Sequence, residues 1–406
     1  MGHIIKTPAG TYRANWRDAT GKQKAKTFKT KKAAASFLAD TESTITRGTY
    51  VDPHAGRLRF GKYADRWQEA RNGELATMAR DISILRTHVL PRWRDVPIGS
   101  IDYTAVQGWV SDVARRRSPA TVAECFRLTS AILRSAVRDR LIGVNPCEGV
   151  KVPPRRKKDM DERIISRADL VARLLPAVPD RYRALVALAG GTGLRWGECT
   201  GLRWECLDLD AGTASVVRVA VEVAGSVTVK PYPKSRAGRR AVPLPEFATE
   251  ILRAHREAFP AGPIGEVFTN STGGPLRRTL FRARVWRPSL VRAGLLGRID
   301  RMGHFKWRAT WVDSEGIEWT AEFTTERDAI AHVAKLAPGG LRFHDLRHSY
   351  ATELVSRGVP VNDVQAVMGH EKPSTTLNLY THQSDGRDKR IREAFADDPL
   401  TAEGPE

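Results

Sequence analysis

Two stretches of this chain align without a gap and are therefore expected to share one small fold. Residues 12–39 and 307–334 have nine identities in 28 positions. The identical pairs are Arg13/Arg308, Ala14/Ala309, Trp16/Trp311, Asp18/Asp313, Gly21/Gly316, Phe28/Phe323, Thr30/Thr325, Ala34/Ala329 and Ala39/Ala334. An Asp-x-x-Gly turn between alternating segments predicts a pair of strands, and the threonine after them can cap a helix. The alignment therefore predicts that the chain contains the same module twice, the second copy as an insertion.

The two copies differ in charge. The first window carries eight basic and one acidic side chain, whereas the second carries two basic and six acidic ones. Because duplex DNA repels a net negative surface, the second copy is expected to keep the fold with DNA binding lost or much weakened. It would then serve protein contacts or spacing.

The net charge of +20 is concentrated before residue 305. Such a distribution is typical of a chain that contacts a polyanion along much of its length, although a generally basic proteome gives a similar excess. A basic sheet can lie in a DNA groove, and arginines on a helix edge can contact its backbone. The candidate DNA-binding residues are Arg13, Arg17, Lys22, Lys24, Lys26, Lys29, Arg127 and Arg134.

The pattern predicts a multidomain α+β chain. It comprises a small N-terminal β-sheet plus helix domain, an all-helical domain, and a mixed, mostly helical α/β domain that holds the arm-like insert. The predicted divisions are 1–56, helical 57–150, linker 151–162, mixed 163–395 with the insert at about 304–338, and an acidic tail 396–406. Within the mixed domain, strands are predicted at about 213–221, 225–230 and 239–244, forming one antiparallel sheet.

Cys125, Cys147, Cys199 and Cys206 form no CxxC pair and are too sparse for a disulfide framework, which favours a reducing cytosol. The apolar stretches are too short to span a bilayer, so no membrane association is expected. The N-terminus has no apolar signal segment. A cytoplasmic, nucleoid-associated protein is the expectation, in the host cytoplasm if a phage encodes it.

Five separate segments carry chemically suggestive residues, although each alone is weak evidence. They are Thr192–Glu198 (TGLRWGE), Pro233–Arg236 (PKSR), His344–Ser349 (HDLRHS), Met368–His370 (MGH) and Leu377–His382 (LNLYTH). Guanidinium groups match the charge that spreads over phosphate oxygens in phosphoryl transfer. A tyrosine nucleophile needs a neighbouring imidazole or cationic field to ionise. No cluster has metal-ligand spacing and no phosphate-binding glycine loop is present, so no metal or cofactor is expected.

In this order the segments resemble the tyrosine recombinase, or phage integrase, family. The resemblance implies an arm-type DNA-binding domain at 1–56, a core-binding domain at 57–150 and a catalytic domain at 163–395. It also implies the following roles. Arg195 and Arg347 hold the scissile phosphate, Lys234 protonates the leaving 5′-oxygen, His344 acts as base and acid, His370 bonds the phosphate, and Tyr380 is the nucleophile. Glu198 would orient the arginines.

Three neighbouring residues compete for these roles. Lys230 lies on the same hairpin as Lys234, but Pro233 and Ser235 match the family pattern around Lys234. His348 is expected to be a packing residue. Tyr350 is too close to the HxxR segment to be the nucleophile.

The implied function is a site-specific DNA recombinase, the integrase of a prophage or integrative element, acting through a 3′-phosphotyrosyl intermediate. Its partners would be double-stranded DNA at crossover and arm sites, further copies in a homotetramer on that DNA, and accessory DNA-bending and directionality proteins. The alternatives are a Xer-type chromosome- or plasmid-resolving recombinase, a type IB topoisomerase, a non-catalytic DNA-binding regulator, and a degenerate recombinase. The basic N-terminal module favours the integrase, because a Xer-type chain usually lacks it.

Overall fold

The chain folds into two compact units, Met1–Lys158 and Asp159–Glu406. The structure, a computed structural model, describes residues 2–18, 21–48, 50–52, 54–154, 164–231 and 238–369. The boundary between the units falls inside the polar stretch 151–162. The expected fold class, a multidomain α+β chain with a small N-terminal sheet and a helical region, is confirmed.

The first unit begins with a three-stranded antiparallel sheet covered by one helix. Its elements are β1 (His3–Lys6), β2 (Tyr12–Arg17), β3 (Gln23–Phe28) and α1 (Lys31–Thr46). As the sequence predicted, Thr30 caps α1 by accepting a hydrogen bond from the Ala33 backbone N–H. Ala14 and Trp16 are buried beneath the helix, and the Trp16 indole donates to the Tyr50 hydroxyl at 3.1 Å.

The sheet register places four of the six candidate DNA-binding residues of this module on two opposite faces, while Lys22 and Lys29 lie just outside the strands. Lys24 and Lys26 pair with Trp16 and Ala14, so they lie on the face that the helix covers. The Lys24 ammonium binds the Asp52 carboxylate, and the Lys26 ammonium lies 4.7 Å from the centre of the Phe37 ring. Arg13 and Arg17 lie on the opposite face, away from α1.

The rest of the first unit is helical. Its helices are α2 (Phe60–Glu69), α3 (Leu75–Ile84), α4 (Leu90–Trp93), α5 (Tyr103–Arg116) and α6 (Pro119–Arg138). A π-helical turn over Leu85–Val89 joins α3 to α4. Arg127 on α6 binds the buried Asp81 carboxylate at 2.6 Å and Glu124 at 2.9 Å, while Arg134 is exposed. Arg127 therefore neutralises a buried charge, and DNA contact by both arginines stays a prediction.

The second unit starts with helices that surround a small sheet. Its elements through residue 258 are α7 (Arg167–Asp169), α8 (Leu175–Ala177), α9 (Asp180–Thr192), α10 (Trp196–Thr200), β4 (Leu207–Asp208), β5 (Thr213–Val216), β6 (Val219–Val223), β7 (Ser226–Lys230), β8 (Arg240–Pro243) and α11 (Glu246–Ala258). The expected single strand at 213–221 is wrong, because the chain leaves β5 at Val217 and starts β6 at Val219. As a result β4, β5 and β8 form one sheet, while β6 and β7 form a separate hairpin.

The remaining elements carry the insert and the last described helices. They are α12 (Arg278–Phe281), a π-helical stretch Arg282–Trp286, α13 (Arg287–Arg292), β9 (Arg298–Gly303), β10 (Lys306–Val312), β11 (Glu318–Phe323), α14 (Glu326–Leu336), α15 (Asp345–Ser356) and α16 (Val361–Met368). α12, the π-helical stretch and α13 follow one another without a break and form one continuous helix, the α12–α13 helix. In the described part of the chain, no helix is both long and apolar enough to cross a membrane.

The insert repeats the N-terminal module element by element, as the alignment predicts. β9, β10 and β11 form an antiparallel sheet under α14, with Ala309 and Trp311 buried in the positions of Ala14 and Trp16. Thr325 caps α14 through the Asp328 backbone N–H. The first strand of this second copy begins at Arg298, so the module starts before the expected boundary at about 304.

Candidate active site

Arg195 stands at the start of α10, where Glu198 holds it in two ways. The Arg195 backbone N–H donates to Glu198 Oε2 at 2.9 Å, and its Nη1 donates to Oε1 at 2.8 Å. A carboxylate three residues into a helix satisfies an otherwise unpaired N–H and suits the positive end of the helix. The Arg195 side chain stays 39% exposed. Its guanidinium is thus fixed on one edge and open to solvent on another.

The same carboxylate binds a second arginine that the sequence did not single out. Arg240, at the start of β8, donates from Nη2 to Glu198 Oε2 at 3.0 Å and from Nη1 to Oε1 at 3.3 Å. Both side chains are buried, Arg240 7% and Glu198 3% exposed. Burial raises the pKa of Glu198, but hydrogen bonding to Arg240 and the charges of Arg240 and Arg195 outweigh it and hold that pKa below its usual value.

A sequence signal for Arg240 did exist. Residues 240, 242 and 244 alternate along one face, and Val242 on that face is completely buried. An arginine in phase with a buried strand face predicts an internal carboxylate partner. The identity of that partner could not be predicted, because Glu198 lies 42 positions away.

Arg347 is buried and bridges two segments. Its Nη1 donates to the Gly193 carbonyl at 2.7 Å, and its Nη2 donates to the Met368 carbonyl. Arg195 Nη2 reaches the carbonyl of the next residue, Gly369, at 3.4 Å. The two arginines predicted from separate motifs therefore converge on the turn that follows α16.

His344 directly precedes α15, on the same side of the fold as Arg195. Phe343 packs edge-on against Trp196, with the ring centres 5.0 Å apart. The His344 and His348 rings lie 5.1 Å apart. Burial, followed by the charges of His348, Arg347 and Arg195, lowers the pKa of His344 to about 4. The imidazole is consequently neutral near pH 7 and can accept a proton.

Two further residues position the start of α15. The buried Asp345 carboxylate accepts hydrogen bonds from the Arg342 backbone N–H at 2.8 Å and from the Arg342 guanidinium. Ser349 Oγ donates to the Asp345 carbonyl at 2.9 Å and accepts from the Ile165 N–H at 3.0 Å. These bonds fix the turn of helix from which His344 and Arg347 project.

The hairpin that leads to the predicted lysine packs closely against α10. A Cβ on Gly197 would lie 2.4 Å from the Ala220 carbonyl oxygen, and one on Gly201 would lie 2.8 Å from the Ala220 nitrogen. Glycine at both positions thus allows β6 to approach Arg195's helix. Lys230 ends β7. Lys234, His370 and Tyr380 lie outside the described residues, so their roles stay predictions.

A substitution at Gly193 tests how tightly the residues around Arg347 are packed. Its φ is +64°, and a Cβ there would lie 2.6 Å from Tyr350 Cδ1 and 3.1 Å from Met368 Sδ. Gly193→Ala should lower the free energy of unfolding by about 2–5 kcal/mol, combining left-handed strain with overpacking. Denaturant unfolding measures the change.

Gly212 is the matched control, with a φ of +61° but only the Leu244 carbonyl near its Cβ position, at 3.6 Å. Gly212→Ala should cost the backbone strain alone, about 1–2 kcal/mol. Equal losses for the two variants would contradict the packing described around Gly193.

The described part of the site gathers two guanidinium groups and a neutral imidazole around one turn. Guanidinium groups suit the oxygens of a phosphoryl group, and the imidazole suits proton transfer. No group of three or more histidine, cysteine or acidic side chains in the described ranges is arranged to hold a metal ion.

Comparison with known sequences finds one protein family. The phage integrase family matches residues 166–300 and 322–387. The break between the two matched ranges falls within the insert. A Mycobacterium tuberculosis protein named as the integrase of prophage phiRv2 is 27% identical over 400 residues, covering 96% of this chain and 94% of that protein. The integrase of Mycobacterium phage L5 is 24% identical, covering 91% and 89%.

Solved structures give the same fold. The integrase of transposon Tn1549, in complex with transposon right end DNA, superposes with a TM-score of 0.61 at 18% identity, covering 84% of this chain and 100% of that one. A lambda integrase dimer bound to a COC′ core site gives a TM-score of 0.54 at 15% identity, covering 94% and 96%.

Proposed function

This chain belongs to the phage integrase family of tyrosine recombinases, and from that premise we propose that it integrates a prophage or another mobile element into duplex DNA. As a tyrosine-type site-specific recombinase, it cleaves and rejoins DNA strands through a covalent 3′-phosphotyrosyl intermediate. The observation that carries the assignment of roles is the convergence of Arg195 and Arg347 on the turn at Met368–Gly369.

In this proposal, Arg195 and Arg347 bind the nonbridging oxygens of the scissile phosphate. Charge increases on those oxygens in the transition state, so guanidinium groups held in advance by Glu198, Gly193 and Met368 stabilise it without reorganising. Glu198 does not touch the phosphate and acts by orienting Arg195. His370 would add a further hydrogen bond to the phosphate.

Proton transfer accompanies each change of bond. The Tyr380 oxygen attacks phosphorus and gives its proton to His344, whose imidazole is neutral near pH 7. The bond from phosphorus to the 5′-oxygen breaks, and Lys234 supplies the proton that this leaving oxygen takes up. In the second step a 5′-hydroxyl attacks the phosphotyrosyl bond and these transfers reverse, so the phosphodiester energy is conserved.

The N-terminal module would bind arm sites while the helical region and the catalytic unit hold the crossover site. Of the candidate residues there, Arg13 and Arg17 lie on the sheet face away from α1 and are best placed to meet DNA. Binding two separated sites with one chain raises the effective concentration of each. A homotetramer on DNA, assisted by bending and directionality proteins, would complete the assembly.

Truncation of this module distinguishes the integrase from the Xer-type alternative. A variant that lacks residues 1–50 should lose integration of a full attachment site and keep cleavage of a core site. Residue 50 is a suitable end point, because Gly56 packs against Gly99 and its segment belongs with the helices. Integration assays on full and core-only sites measure the difference. Unchanged integration would favour a Xer-type function, and loss of both activities would contradict separate arm binding.

A further inference from the structure

A basic groove lies where the insert meets the α12–α13 helix. It has a volume of about 1080 Å³ and is bounded by that helix on one side and by α14 with the following turn on the other. Its charged lining consists of Arg282, Arg284, Arg287 and Arg292 from the first wall and Glu326, Arg327 and Lys335 from the second. All but Arg287 of these cations are exposed. Six cations therefore face one carboxylate.

The walls of this groove are fixed relative to each other by Arg287. Its guanidinium donates to the carbonyls of Ala334 and Ala337 and, at 3.1 Å, to that of Gly339. These carbonyls close the C-terminal end of α14, where a cation is favourable. The groove is thus preformed, and no carboxylate of a described residue pairs with Arg287 to neutralise its charge.

The exposed cations of the groove differ in their ion pairing from those on the sheet face of the insert that α14 leaves uncovered. There Lys306 and Arg308 bind Glu322, and Arg298 binds Asp300. Arg282, Arg284, Arg327 and Lys335 form no such ion pair with any described residue. The net negative charge of the insert therefore lies away from this groove, whose own field is positive.

We propose that this groove binds the phosphate backbone of duplex DNA. Arginine forks match phosphate oxygens in geometry and charge. None of the described lining side chains is aromatic, so they offer no surface on which unstacked bases could stack. The α14 wall of eleven residues is about 16 Å long, and a stretch of duplex axis of that length carries about five phosphates on each strand.

This inference rests on the proposed function, since it adds a contact to the DNA on which the recombinase acts. It also refines the expectation that the insert has lost DNA binding. An isolated insert lacks the α12–α13 wall, so it has only half of the groove. In this proposal the second copy contacts DNA through the groove that α14 forms with the α12–α13 helix. Its sheet makes no DNA contact.

The test compares two double variants of the full chain that change the net charge equally. Arg327→Gln with Lys335→Gln removes two groove cations, whereas Lys306→Gln with Arg308→Gln removes two from the sheet face. Binding to duplex DNA of arbitrary sequence is followed by fluorescence anisotropy between about 50 and 300 mM salt, because each phosphate contact contributes about 0.9 to the slope of log K against log salt.

The groove variant should reduce that slope by about 1–2, and the sheet variant by less than about 0.5. Arg327→Lys with Lys335→Arg keeps both charges and should restore the wild-type slope. An unchanged slope for the groove variant, or an equal reduction for both double variants, would overturn the proposal.

The same proteins are also assayed for covalent complex formation on a nicked core-site duplex. At protein concentrations that saturate the DNA, so that weaker binding is compensated, wild type and both double variants should form the complex, because none of the substituted residues belongs to the active site. If the slopes contradict the groove while the covalent complex forms, only the groove proposal fails. Absence of the complex with wild type would instead contradict the proposed function.

Discussion

A Tyr380→Phe variant is expected to form no covalent complex with a nicked core-site duplex, while it still binds that DNA. The phenyl ring keeps the shape of the side chain but lacks the oxygen that would join phosphorus. Denaturing gel electrophoresis of the protein–DNA mixture measures the covalent product. A covalent complex formed by this variant would show that Tyr380 is not the nucleophile.

Tyr350 provides the matched control, because it is a second tyrosine close to Arg195 and Arg347. Its ring lies against Gly193, and burial raises the pKa of its phenol, which keeps the hydroxyl protonated and a poor nucleophile. Tyr350→Phe preserves the packed ring and should form the covalent complex as wild type does. Loss of the complex by a folded Tyr350→Phe variant would argue that Tyr350 carries the reaction.

The repeated module was predictable because its signals are local. The Asp-x-x-Gly turn, the capping threonine and the small and aromatic core residues each act within a few positions, so the alignment of residues 12–39 with 307–334 predicted the fold of both copies. The side on which each lysine lies was not predictable. Lys24 and Lys26 lie on the face that α1 covers because β3 pairs with β2 in one particular register. That register depends on how the strands pair across the turn.

The sequence motifs predicted which residues meet, and the structure brings Arg195, Glu198, His344 and Arg347 together. What holds them was not predictable, since Arg347 binds backbone carbonyls, and carbonyls carry no sequence signature. Arg287 was missed for the same reason, because its partners are the carbonyls that end α14. Arg240 is a different case. The alternation along β8 predicts that its side chain points inward, but it does not predict that Glu198 is the partner.

The second large effect is expected at Arg240, which we predict to be the main support of Glu198. Arg240→Met should lower the free energy of unfolding by about 3–5 kcal/mol, because among the described residues it leaves the buried Glu198 carboxylate with only Arg195 as a charged partner. It also removes the hydrogen bond from Arg240 Nε to the Val367 carbonyl at 2.6 Å, beside the turn to which Arg195 and Arg347 bind. Denaturant unfolding and the rate of core-site cleavage measure the two losses.

Arg253→Met is the control for loss of an ordinary ion pair, because Arg253 binds the exposed Asp210 at 3.1 Å, and it should change stability by no more than about 1 kcal/mol. Adding Glu198→Gln to Arg240→Met removes the uncompensated charge and should recover part of the stability. Cleavage should stay slow in that double variant, since Arg195 then lacks its orienting carboxylate.

DNA affinity should remain near wild type throughout, because Arg240 is too buried to reach DNA. If Arg240→Met matched Arg253→Met in stability and cleavage, Glu198 would not depend on Arg240.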